Sequence, residues 1–61
     1  MTTTYNQLLD GLKTGSMLVR TEDGKRELIT SVRSIERESG NGKTFNVYLT
    51  SGKNYFVTVV E

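Results

Sequence analysis

The chain has 61 residues, 8 Lys and Arg against 7 Asp and Glu, a formal net charge of +1, and no His, Cys, Pro or Trp. A chain this short holds one small domain, spanning 1–61, and such domains are marginal unless they pack well. The composition excludes a disulfide framework and a zinc site of the usual kind, and the balanced charge gives no whole-molecule field to hold nucleic acid.

The start, Met1-Thr2-Thr3-Thr4, carries neither a basic cluster nor an apolar run, so no signal peptide is expected. Residues 4–13 are expected to form a helix, because Tyr5, Leu8, Leu9 and Leu12 recur on one face of a 3.6-residue period. Thr4 and Gln7 have capping-box spacing, Lys13 suits the negative end, and Gly15 suits a left-handed C-cap. Gly11 weakens the interior by about 1 kcal/mol relative to Ala. So short a helix must lean on something else.

Everything after Gly15 reads as strand, at about 16–22, 25–37, 43–50 and 53–60. Asp23-Gly24 and Ser51-Gly52 are read as two-residue hairpin turns, with positive φ at each glycine. Such turns pair Val19 with Leu28, Leu18 with Ile29 and Arg20 with Glu27, an opposite-charge pair. They also pair Tyr48 with Tyr55 and Val47 with Phe56. One face then carries Phe45, Val47, Leu49, Phe56 and Val60, and the other Tyr48, Tyr55, Val57 and Val59. The expected core is Leu8, Leu9, Leu12, Val19, Leu28, Val32, Phe45, Val47, Leu49 and Phe56. The second strand changes phase between Ile29 and Ile35, which calls for a bulge near Ser31 and Ser34. Residues 39–42, Ser-Gly-Asn-Gly, read as a loose connector.

The expected fold is therefore α+β, mainly β: a short N-terminal helix followed by a curled four-stranded antiparallel meander. With its bent second strand the pattern resembles SH3-like small barrels in general, although no family motif accompanies it. The last strand should lie at an edge and either pair with another chain as a homo-oligomer or close against the first strand.

Chemistry is mostly excluded. Without His or Cys there is no ready proton shuttle or thiolate, and the carboxylates sit at hairpin tips and loop flanks where water keeps them ionised. No enzyme activity, cofactor or metal is expected. Residues 40–43, Gly-Asn-Gly-Lys, lack the spacing and following helix of a phosphate-binding loop and read as a connector. The candidate partner-binding residues are Tyr48 and Tyr55, with Arg33, Arg37, Lys43 and Lys53 at their rim, because tyrosine supplies rigid contact area. If the helix covers that face, the surface must instead lie in the loops at 40–43 and 23–24. The expected function is a non-catalytic module that docks on and modulates a larger protein, in the style of phage or mobile-element accessory proteins. The alternative is a small-barrel nucleic-acid binder using the same aromatic and basic face. Apolar runs far too short for a membrane span make a soluble, cytoplasmic protein the expectation.

Overall fold

The helix forms where the apolar spacing places it. A computed structural model describes residues 1–38, 40 and 42–60, and in it α1 is Tyr5–Thr14. Thr4 is the N-cap: its hydroxyl accepts the Gln7 N–H at 3.2 Å. Gly15 is the C-cap, left-handed at φ 83°, and its N–H donates to the Gly11 carbonyl at 2.9 Å. Gly11 is buried, and a Cβ placed there would lie 3.1 Å from Met17 Sδ. The residue that weakens the helix interior thus lets it approach the sheet closely.

Six strands, not four, are found among the described residues: β1 Thr2–Thr3, β2 Met17–Arg20, β3 Arg26–Ile29, β4 Val32–Arg37, β5 Thr44–Leu49 and β6 Asn54–Val59. They make one sheet in the order β3-β2-β1-β6-β5-β4. β1 was not expected. It pairs antiparallel with β2 and parallel with β6, and so joins two hairpin blocks that otherwise share no ladder. Thr58 N–H donates to the Met1 carbonyl at 2.9 Å and Val60 N–H to the Thr3 carbonyl at 3.0 Å. The last strand is therefore interior, between β1 and β5, and the edge expected to recruit a second chain does not exist there.

The long strand expected at 25–37 breaks into β3 and β4, which lie at opposite edges of the sheet. Only Thr30 and Ser31 join them, and Ser31 has φ 61°. The span from Ile29 to Val32 cannot exceed about 11 Å, whereas six flat strands would be about 24 Å wide. The sheet must curl until its edges meet at that corner. Val32 N–H donates to the Gly15 carbonyl and Thr50 N–H to the Ser31 carbonyl, both at 2.9 Å, which pins the corner in place. No ladder links β3 to β4, so this is an open curled sheet and not a closed barrel. The expected irregularity near Ser31 and Ser34 is present twice, as the corner and as a register shift between Val32 and Ser34.

Both hairpin turns differ from expectation in the same way. Thr21 N–H donates to the Lys25 carbonyl and Gly24 N–H to the Thr21 carbonyl, at 2.8 and 3.0 Å. Leu49 N–H donates to the Lys53 carbonyl and Gly52 N–H to the Leu49 carbonyl, at 2.9 and 3.1 Å. These are three-residue loops ending in a left-handed glycine, with φ 85° at Gly24 and 93° at Gly52. Only the glycine needs positive φ, whereas the commonest two-residue turn would also ask it of Asp23 or Ser51. The extra loop residue moves each register by one, and a one-residue move exchanges the two faces of a strand. Leu18 pairs with Leu28, Val19 with Glu27, Arg20 with Arg26, Val47 with Tyr55 and Phe45 with Val57.

The core that results is Leu8, Met17, Val19, Ile29, Phe45, Val47, Leu49, Val57 and Val59, on the face that α1 covers. Val32, Ile35, Tyr55 and Met1 pack at its margin. Leu9, Leu12, Leu28 and Phe56, expected inside, are exposed; Met17, Ile29, Val57 and Val59 take their place. Four different changes test this assignment by urea denaturation. Met17→Ala should cost roughly 2–5 kcal/mol, while Phe56→Ala should cost about 1 kcal/mol or less, as surface changes do. Gly24→Val and Gly52→Val should each cost about 1 kcal/mol or more through backbone strain.

Candidate functional site

The face of the sheet away from α1 carries every side chain that the register turns outward. Leu28 and Leu18 are cross-strand partners, and Val60, next to buried Val59, stands at the same level across β1. The next level holds Arg26, Arg20, Thr2, Thr58 and Thr44 in register across five strands. Phe56, Asn46 and Glu36 form the next row, then Asn54, Tyr48 and Ser34. The polar half is held by side chains: Asn54 Nδ2 donates to Asn46 Oδ1 at 2.9 Å, and Asn46 Nδ2 to the Tyr48 hydroxyl at 3.0 Å.

Where Thr4 turns the chain up into α1, the sheet loses a strand between β2 and β6. Leu18 would lose its ladder partners at that point. Instead its N–H donates to Gln7 Oε1 at 2.9 Å, and its carbonyl accepts from the Thr3 hydroxyl at 2.8 Å. The result is a notch of about 400 Å³, lined by Thr2, Thr4, Leu18, Arg20, Arg26 and Val60 among others. Among the described residues no carboxylate lines it. Arg20 and Arg26 face each other directly, both exposed, and neither guanidinium has an ion pair among the described residues.

A second concavity, about 210 Å³, lies between α1 and the sheet margin, against Tyr5, Leu9, Leu12, Ile35, Arg37 and Phe45. The Tyr5 and Phe45 rings meet edge to face with centroids 6.2 Å apart, and the Arg37 guanidinium lies 5.8 Å from the Phe45 centroid. That cation is thereby engaged in covering the core.

The residues expected to form one binding surface are spread over the molecule. Tyr48 is on the open face, while Tyr55 is half-buried on the opposite face, against Val47 and the core margin. Arg37 is on the helix side, Arg33 lies in the bulge of β4, Lys43 precedes β5, and Lys53 is at a hairpin tip. The cross-strand tyrosine pair fails because of the one-residue register change at Gly52. The equivalent one-residue change at Gly24 creates the Arg20–Arg26 pair and turns Leu28 outward, and that at Gly52 turns Phe56 outward. A three-residue reading of both glycine loops would have revealed these groups in the sequence. In the loop at 39–42, Ser39 and Asn41 lie outside the described residues.

Among the described residues no three His, Cys, Asp or Glu side chains come together to hold a metal ion. No described helix is long and apolar enough to cross a membrane. No protein-family model, curated protein or solved structure matches the chain.

Asp23, at the tip between β2 and β3, has its pKa held below the ordinary 3.8 chiefly by the Thr21 hydroxyl; desolvation opposes it, and the backbone N–H groups of Lys25 and Asp23 add smaller lowering effects. A lowered carboxylate pKa adds stability that is present above the unfolded value and lost as pH falls through the folded one. Thr21→Val should raise the Asp23 pKa relative to the wild type, read by NMR of its side-chain carboxyl carbon. Gln7→Ala should leave the Leu18 N–H without its acceptor, at a cost of roughly 1 kcal/mol. Hydrogen exchange at Leu18 should then be faster than in the wild type.

Proposed function

We propose that this chain is a non-catalytic binding module that docks on a larger protein through the open face of its sheet. One observation supports the reading: Leu18, Leu28, Phe56 and Val60, at 42%, 57%, 55% and 65% exposure, stand on a face that no element among the described residues covers. Aliphatic and aromatic groups gathered on one uncovered face favour a partner over water. Glu22, Asp23, Glu27 and Glu36 are all exposed, which supports a surface role for the carboxylates over an acid–base one. The comparison with phage or mobile-element accessory proteins rests on size and style alone.

Nucleic-acid binding is the second reading, favoured by Arg20 and Arg26 on the same face as Phe56. It is the weaker one, because the net charge is only +1 and the Tyr48 hydroxyl is already bonded to Asn46. Cross-linking in a lysate of the native cell, read by mass spectrometry, distinguishes the faces. The protein cross-linked to the wild type should fall at least tenfold with Leu18→Ser/Phe56→Ser and persist with Leu9→Ser/Leu12→Ser. The opposite result would move the surface to the helix side, and loss of the cross-links on nuclease treatment would favour nucleic acid.

A further inference from the structure

We propose that the notch beside Arg20 and Arg26 receives an acidic segment of the docked protein. One carboxylate sits between the two guanidinium groups, and a neighbouring aliphatic side chain lies against Leu18 and Val60. This rests on the docking reading above and names the chemistry of the partner.

The argument begins with charge. Like charges directly opposite each other in a sheet are destabilising, and Arg20 and Arg26 are such a pair. Glu27, the nearest acid in the same strand, is opposite Val19 and so turned to the other face. Two guanidinium groups set side by side, with no ion pair among the described residues, match a carboxylate, which accepts from both with charge-assisted bonds. The surroundings extend the match. The notch is concave, bears threonine hydroxyls and, among the described residues, no carboxylate, and is apolar at its Leu18 and Val60 end.

The mode of recognition also follows. Leu18 N–H and carbonyl point into the notch but are already bonded to Gln7 and Thr3. A partner therefore cannot add a strand there and must be read through its side chains. A phosphate backbone would use the arginines but not the row of Leu28, Leu18 and Val60, whereas an acidic segment with aliphatic neighbours uses both.

The test pans a display library of random 12-residue peptides against the immobilised full chain, then measures selected peptides by fluorescence anisotropy. Enriched peptides should carry Asp or Glu beside Leu, Ile or Val. Their affinity should fall at least tenfold for Arg20→Gln/Arg26→Gln and for Arg26→Glu. Arg26→Glu places opposite charges across the strands, so it should melt at or above the wild-type Tm, which separates lost binding from lost folding. Peptides lost by Leu18→Ser/Phe56→Ser yet bound equally by the arginine variants would overturn the acidic partner and leave open-face docking standing. Peptides bound equally by every variant would overturn both. No enrichment of acidic peptides would overturn the inference, as would tighter, salt-sensitive binding of 12-nucleotide poly-U RNA or poly-dT DNA.

Discussion

Two glycines in left-handed conformation set the register on which the rest of the molecule depends. Gly24 and Gly52 each end a three-residue loop, and each fixes which residues of two strands face each other. Because side chains alternate along a strand, that choice fixes burial as well. It sends Val57 and Val59 inward and Phe56 outward, and it sends Ile29 inward and Leu28 outward. The buried set is thus rich in β-branched residues, which pack well against a pleated surface.

The two hairpin blocks share no ladder with each other and meet in the sheet at a seam. β1 is only Thr2–Thr3, yet it sits at the centre of the sheet and bonds to a strand on each side. Where it ends, Thr3 and Gln7 side chains take over the backbone groups of Leu18. On the far side of the molecule the corner at Thr30 and Ser31 ties one sheet edge to the other. Both exposed edges are charged, with Arg26 and Glu27 on β3 and Arg33, Glu36 and Arg37 on β4, and β4 also carries a bulge. Charged, irregular edges discourage strand addition. The apolar material available to a partner lies on the sheet face instead.

That face has two halves with different energetics. Asn46, Tyr48 and Asn54 satisfy one another, so that half is settled by its own hydrogen bonds. The half nearer the helix start has aliphatic groups in water and two arginines facing each other. A docked acidic and aliphatic segment relieves both conditions at once, since it removes apolar area from water and neutralises like charges. The helix-side groove is different: there Arg37 already covers Phe45, and Tyr5 meets the same ring edge to face.

The sequence alone determined the helix, its caps and the positions of the turns, but not the turns' loop lengths. Apolar spacing and caps placed α1 within one residue at each end, the glycines marked both hairpins and their positive φ, and the phase change marked the bend near Ser31. It also determined a mainly β chain with one helix. Register was not legible, because both glycine loops are compatible with two or three loop residues. The third loop residue is seen only in the fold, where Gly24 and Gly52 close the loops and Ile29, Val57 and Val59 enter the core. β1 was not legible either: Thr2–Thr3 has no hydrophobic pattern, and becomes a strand only because β2 and β6 offer it ladders on both sides. The Tyr48 and Tyr55 pairing and the last strand as an edge were inferences from register and order, and tertiary structure reversed both. The Arg20–Arg26 pair exists for the same reason: side chains 6 positions apart in sequence meet only once the three-dimensional packing has chosen the register.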